Sequence, residues 1–393
     1  MPGMPAAKSP ADSPTAAAHA LPAWVYANPD LQRLEIERIL IPSWQIACHV
    51  NSIAHPGDFV TLDLGPESVF VLRSREGRIR AFHNVCRHRG ARLLDGTGNC
   101  PTSITCPYHG WSYRHDGALI GVPSRESFPG LDRSAHALNE VRTETAFGFV
   151  FVALGGDPAP VAATWQPFLA ELAPYRIEEM VPLGPISLEH WDVDWKLAMD
   201  NYLESYHVPI GHPGLNRMFT PDYEDMAVAP TIARGTSWLR EQESSRWSER
   251  MYQRLVGHIG ADLPQACRRS WRFYSALPNL GIDLFAEQMD FFQVIPRGPG
   301  KCTIRSGVFG RPDSSREMRL VRFLGSRINA QVNAEDRRLC GRVQRGLASR
   351  SYRPGPLSGL ESCMLEFHEL LRRRIPEFRL PEAPSSFAGL PTT

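Results

Sequence analysis

The sequence predicts an α+β chain in which a small all-β domain precedes a larger antiparallel sheet wrapped around long helices. Three observations carry this. Short β-type runs (DFVTLDL, SVFVLRS, RIRAFHNV and TETAFGFVFVAL) fill the region from about 43 to 155, with Ser74 to Gly77 as a hairpin signal. After the Pro/Ala-rich connector GGDPAPVAATWQP, strand-like segments (ISLEHWDVD, WRFYSAL, MDFFQVIPR, CTIRSGVFG) give way to EDRRLCGRVQRGLAS and GLESCMLEFHELLRRRI, whose apolar spacing is helical. Finally, 393 residues at 42% hydrophobic can bury two or three cores.

Residues 1–22 (MPGMPAAKSPADSPTAAAHALP) read as a disordered arm. Residues 23–42 should supply an N-terminal helix packing on the second domain, with Asn28 as its cap, Pro29 in its first turn, and Leu31, Leu34, Ile39 and Leu40 as its apolar stripe. The β domain is assigned to 43–155 and the second domain to 165–385, with a helix expected from about Trp195 to His207.

Bulk composition excludes several function classes. With 43 basic and 42 acidic residues the formal charge is +1, which is no footprint for nucleic acid or an anionic membrane. No apolar run approaches the roughly 20 residues that span a bilayer, and the first 20 residues lack a secretory layout. Eight scattered cysteines do not make a disulfide scaffold, so a reducing cytoplasm is the expected location and small molecules or proteins the expected partners.

Two constellations carry chemistry. CRHRG supplies Cys86 and His88, CPYHGW supplies Cys106 and His109, and 17 residues separate the pairs. Zinc in a tetrahedral Cys2His2 site is one reading. Each pair mixes one thiolate with one imidazole and is followed by a glycine, Gly90 or Gly110, which matches the two-loop ligation of a Rieske 2Fe-2S centre. Cys100 lies between the loops without a histidine partner and reads as structural.

The second constellation is ESYHVPIGHP, with His207 and His212 five residues apart across Pro209 and Gly211. Alone these could be ordinary histidines; next to an electron store they suggest two ligands of a two-His, one-carboxylate iron site. The break lets one imidazole project from a helix end and the other from the following turn.

DWKLAMDNYLESYHVPIGHP together with CRHRG…CPYHGWSY resembles the large (alpha) oxygenase subunit of the Rieske non-haem iron (aromatic-ring-hydroxylating) oxygenases, from about Pro22 to the C-terminal helix. The resemblance implies an N-terminal Rieske 2Fe-2S domain before a helix-grip (START/SRPBCC-like) catalytic domain with an antiparallel sheet and a long C-terminal helix. It also implies Fe(II) held by His207, His212 and Asp336, with Glu335 the competing acid; Glu204 as an interdomain bridging carboxylate; and Asn201 as a polar neighbour of the iron. The implied system uses O2 and electrons from NAD(P)H through a reductase or ferredoxin, in a head-to-tail homotrimer.

An aromatic substrate for mono- or dihydroxylation is the expectation. The alternatives are oxidative N- or O-demethylation of a betaine-like or methoxy-aromatic compound and, more distantly, an electron-transfer protein without oxygenase activity. Residues 216–255 and 279–290 should line the pocket. Trp238, Trp247 and Tyr252 could cage an ammonium group, and Arg234, Arg240, Arg246 and Arg250 could hold a carboxylate. Equally, such aromatics often belong to a core, and REQESSRWSER to a solvated helix face.

Overall fold

In this computed structural model the described residues are 18–229, 231–259 and 262–387. Most of the arm expected over 1–22 therefore lies outside the described residues. Its last part departs from the expectation of disorder: Ala20 N–H donates to Gly355 O at 3.0 Å, and Leu21 is fully buried.

The N-terminal helix runs Pro29–Glu35 and continues as a wider π turn over Ile36–Leu40. Asn28 Oδ1 accepts from the backbone N–H of Asp30 and Leu31 at 3.0 and 2.9 Å, satisfying donors that a helix start leaves free. Leu31, Leu34 and Ile39 pack with Trp191 and Trp195 of the second domain. Glu35 is fully buried there and accepts from Trp195 Nε1 and Lys196 Nζ, each at 2.6 Å.

Ten strands follow: β1 (Gln45–His49), β2 (Asp58–Leu64), β3 (Glu67–Arg73), β4 (Ile79–His83), β5 (Thr97–Asn99), β6 (Ile104–Thr105), β7 (Ser112–Tyr113), β8 (Leu119–Gly121), β9 (Glu140–Ala146) and β10 (Phe149–Ala153). They form an antiparallel seven-stranded sheet ordered β1-β10-β9-β4-β3-β2-β5 and a three-stranded sheet β6-β7-β8. The unbroken apolar run of β3 is explained by two-sided burial. Val69 and Val71 enter one core, while Phe70 and Leu72 enter another that also holds Cys86 and Cys106.

The second domain contains β11 (Val181–Pro182), β12 (Ser187–Trp191), β13 (Glu224–Ala229), β14 (Ile232–Trp238), β15 (Ser270–Ala276), β16 (Leu280–Leu284), β17 (Met289–Gly298) and β18 (Lys301–Gly310). The sheet order is β11-β18-β17-β16-β15-β14-β13, with β12 also on β18. A 32-residue helix, Arg316–Leu347, is roughly 48 Å long and is capped by Ser315. Near its start Met318, Val321 and Leu324 are buried apolar contacts; further along, the same side turns polar at Asn329, Asn333 and Asp336, which line a cavity. The last α-helix is Ser362–Arg374, and among the described residues no helix is long and apolar enough to cross a membrane.

One expected element is shorter than the sequence suggests. The helix beginning at Trp195 stops at Tyr202, and His207 opens a separate turn over Val208–Gly211.

Candidate metal centres and the cavity beside them

The two Cys/His loops are built alike. Cys86 N–H donates to Ala91 O and Cys106 N–H to Trp111 O, both at 2.8 Å; Gly90 and Gly110 N–H return to the Cys86 and Cys106 carbonyls at 3.0 and 3.1 Å. Closing so tight a turn needs left-handed backbone at its last residue, and both glycines supply it, with φ of +73° and +72°.

The loops bring His88 and His109 to a ring separation of 4.7 Å, and His88 stacks on Trp111 at 4.8 Å. Both cysteines are buried while both histidines are partly exposed. The Cys86 sulfur lies 3.3 Å from Tyr113 Oη, which also accepts from Arg87 N–H at 3.0 Å. His88 Nδ1 is buried without a hydrogen-bond partner. Burial, then the charges of His109 and Arg89, lower the His88 pKa, favouring the neutral ligand form. Two inward thiols, two outward imidazoles and an orphaned ring nitrogen fit a Rieske cluster better than a closed structural zinc site.

At the second site His207, His212 and Asp336 converge. His207 Nε2 lies 3.1 Å from His212 Nε2 and 3.5 Å from Asp336 Oδ1, and His212 Nε2 lies 3.0 Å from Asp336 Oδ1. Ligands about 2.1 Å from one metal and at right angles to each other would be about 3 Å apart, so this triangle fits a facial triad. Asp336 Oδ1 is buried and receives no well-aligned hydrogen bond despite the two short nitrogen distances. That geometry suits three lone pairs aimed at a shared cation.

The five-residue spacing now has a local cause. Pro209 opens the short turn, and Gly211 N–H closes on His207 O at 2.7 Å. A Cβ on Gly211 would lie 2.9 Å from Leu339 Cδ1 and 3.2 Å from His207 Cδ2, so glycine lets the turn press between imidazole and long helix.

Outer groups fix both rings. Glu204 Oε1 is 2.6 Å from His207 Nδ1 while its Oε2 accepts from the His207 backbone N–H at 3.0 Å. Glu335 Oε2 is 2.8 Å from His212 Nδ1. Asn201 Nδ2 lies 3.3 Å from His207 Nε2. Burial opposes a charged His207, but the neighbouring Asp336 and Glu204 carboxylates outweigh it and, in the metal-free chain, raise its pKa to about 9. Asp336 is shifted down because the two imidazoles outweigh its burial.

A cavity of about 370 Å³ adjoins the triad. Its apolar wall includes Trp191, Tyr202, Trp271, Phe273, Phe291 and Phe292. The cage and clamp expected from sequence do not assemble here. Trp247 is 60% exposed at a helix start, Tyr252 is buried in the core with its Oη on Glu287, and Trp238 is off the wall. Arg240 and Arg250 bind backbone carbonyls of Phe219 and Ser244, and Arg246 is also off the wall. Arg234 reaches the cavity but is tied to Glu171 at 2.6 Å.

The model of the ring hydroxylating alpha subunit catalytic domain matches residues 177–377, and that of the Rieske [2Fe-2S] domain matches 43–139. The chain is 29% identical over 384 residues to the glycine betaine monooxygenase oxygenase subunit of Chromohalobacter salexigens, covering 86% of this chain and 82% of that one. It is 29% identical over 370 residues to the chloroplastic choline monooxygenase of Spinacia oleracea, covering 91% and 79%. To the carnitine monooxygenase oxygenase subunit of Escherichia coli it is 33% identical over 201 residues, 50% and 53% of the two chains. In fold it is similar to a quaternary ammonium Rieske monooxygenase, with a TM-score of 0.77, 23% identity, and 91% and 96% coverage. Naphthalene 1,2-dioxygenase from Rhodococcus sp. shares that fold at a TM-score of 0.72 and 20% identity, covering 92% and 95%. The chain belongs to the ring hydroxylating alpha subunits: it is the oxygenase component of a Rieske non-haem iron system, an oxidoreductase using a 2Fe-2S cluster, mononuclear iron, O2 and electrons supplied through a reductase.

Proposed function

We propose that this oxygenase acts on a small organic ammonium cation, as a monooxygenase or oxidative demethylase, and not on an aromatic ring. One observation carries the choice: the cavity combines aromatic walls with the acidic side chains of Asp225, Asp283 and Asp290, and Arg234, the one arginine lining it among the described residues, is already paired with Glu171. Aromatic faces and carboxylates both attract an alkylammonium group. A ring hydrocarbon brings no positive charge to meet those acids. The relatives named for glycine betaine, choline and carnitine support the same reading.

In this reading Cys86 and Cys106 hold one iron of the cluster, His88 and His109 the other, and His207, His212 and Asp336 the mononuclear iron. When bound, that iron supplies reduction of O2 beside the substrate with electrons passed on from a cluster. The chain's own part is positional. Glu204 and Glu335 accept the Nδ1 protons of His207 and His212, which leaves both Nε2 lone pairs facing the metal position. Asn201 offers a polar N–H beside that position. The aromatic wall excludes bulk water and orients the substrate without ligating it.

Electron delivery between subunits of a head-to-tail trimer belongs to the same proposal. Its support is that Tyr108, beside His109, is 58% exposed, while Tyr206 and Ile210, flanking His207, are 59% and 88% exposed. Such apolar groups suit burial against a second copy.

The test is a panel of methylammonium compounds and aromatic acids incubated with enzyme, reductase, NADH and O2, with products read by mass. Formaldehyde and a demethylated or hydroxylated amine are expected. Oxygenated rings with no amine turnover would reverse the choice.

A further inference from the structure

One part of the cavity wall is used by neither the triad nor the aromatic lining. Asp283 on β16 and Asp290 on β17 are directly opposed in the strand register, and both line the cavity. Ionising both would set like charges side by side, so without a bound cation the pair retains a proton, and an ammonium group would take that proton's place. No cation among the described residues pairs with either. Asp283 Oδ1 accepts from Tyr202 Oη at 2.7 Å; Asp290 accepts from Gln288 Nε2 at 2.9 Å and Asn329 Nδ2 at 3.2 Å. Both aspartates keep some accessible area although protein surrounds them, because that area is cavity wall.

A separate observation concerns Gln288, which lines the same cavity and is 2% exposed. Its Oε1 is buried and has no hydrogen-bond partner. The second oxygen of Asp283 likewise receives no donor from the described residues. The unmet capacity at this spot consists of acceptors, so what belongs there brings donors.

The long helix gives a ruler. Asn329, which touches Asp290, and Asp336 are seven residues apart, hence on one face and roughly 10 Å from each other. The paired carboxylates thus sit about two helical turns along the cavity from the metal-facing carboxylate.

We infer that Asp283, Asp290 and Gln288 form a docking subsite for the end of the substrate remote from the oxidised carbon, and that this end is a protonated amine carrying N–H donors. The inference rests on the reading that the enzyme oxidises an organic cation, and it narrows that class. A carboxylate end, as in a betaine, meets two carboxylates and no free cation. A quaternary end satisfies the charge but offers no N–H to Gln288 Oε1 or Asp283. A primary or secondary ammonium answers both. The substrate is then elongated, with separate anchoring and reacting ends.

Three probes share a trimethylammonium head and a four-carbon spacer and differ in the tail: (4-aminobutyl)trimethylammonium, referred to below as the diamine, 1,4-bis(trimethylammonio)butane with its trimethylammonium tail, and 5-(trimethylammonio)pentanoate. Binding to enzyme with both metal centres loaded is measured by calorimetry, and formaldehyde release is measured with reductase, NADH and O2. The primary-ammonium tail is expected to bind at least about 10-fold tighter than the trimethylammonium tail and about 100-fold tighter than the carboxylate. Asp283→Asn, with its mononuclear iron content unchanged as a check that the second domain is folded, should lower affinity for the diamine about 10-fold. Equal affinities for the three tails, or unchanged diamine binding in a correctly folded variant, would overturn the subsite. If Asp283→Asn fails to fold, the wild-type tail comparison still decides. Tight, Asp283-dependent diamine binding without formaldehyde from any probe would leave the subsite standing and remove the proposed reaction. Equal turnover and binding of all three would do the reverse.

Discussion

Glu335 and Asp336 are consecutive residues that address opposite nitrogens of one imidazole: Glu335 Oε2 stands 2.8 Å from His212 Nδ1, and Asp336 Oδ1 3.0 Å from His212 Nε2. The two acids, rivals for one role on sequence grounds, have different positions. The expected outcome for Asp336→Ala is loss of mononuclear iron with the cluster spectrum retained, from about three irons per chain to about two. Glu335→Gln should keep the site but weaken its iron affinity roughly 10–100-fold, since only an outer hydrogen bond changes. Metal analysis and chelator competition check both; normal iron content in Asp336→Ala would move the ligand elsewhere.

At the other centre, His88→Cys or His109→Cys, in a protein that folds, should retain a 2Fe-2S cluster whose potential falls by a few hundred mV, because a thiolate restores negative charge to that iron. Redox titration reads this directly. A potential equal to wild type would mean that the exchanged histidine does not ligate the cluster.

Stability should depend on pH through Asp283. It faces Phe273 on β15, Asp290 on β17 and Tyr202 at the end of the helix that begins at Trp195, with no cation among them. Burial raises its pKa to about 8; the Tyr202 hydrogen bond opposes this and the Asp290 charge adds to it. An unfolded aspartate ionises near about 3.9. Between those values the native state holds a proton that the unfolded chain has lost, so native stability falls as pH rises. Asp283→Asn removes that titration. Without substrate, its melting midpoint should match wild type near pH ~4 and exceed it by a few °C near pH ~8. A variant that melts lower than wild type at the higher pH contradicts the buried, uncompensated acid.

How far the sequence was legible follows from whether the signal is local. The Cys86/His88, Cys106/His109 and His207/His212 pairs are short-range patterns, and each lands in one turn whose glycine is explained by contacts or φ. The cavity wall is different. Trp191, Trp271 and Phe292 come from strands far apart in the chain, and which alternate residues face inward depends on how the sheet closes over the helix. A period-two reading of β15 and β17 would have grouped Trp271 with Phe273, and Asp290 with Phe292, but not told which side was inside. Tyr252 and Trp247 misled for the matching reason: spacing on a helix does not give its rotation. The helix expected to reach His207 ends early because side chains take over its hydrogen bonds. Glu204 captures the His207 N–H, and Ser205 Oγ donates to Asp225.

In the trimer proposed above, electrons from a neighbouring subunit's cluster cross at Glu204. One oxygen holds the His207 ring at Nδ1 and the other holds its backbone, and the exposed Tyr206 and Ile210 place this segment at the surface. A carboxylate so placed can also accept from a cluster imidazole of a neighbouring subunit. Glu204→Gln keeps the size and one accepting oxygen but removes the charge, so the turn should survive. If Glu204 bridges, both metal centres load and the cluster is still reduced, yet cluster reoxidation with substrate and O2 slows by about 100-fold or more. If Glu204 only orients His207, iron binds roughly 10–100-fold more weakly while reoxidation of the loaded enzyme stays fast. Stopped-flow absorbance of the reduced cluster, on protein matched for iron content, separates the two. Wild-type reoxidation in the loaded Gln variant would reduce Glu204 to an orienting partner of His207.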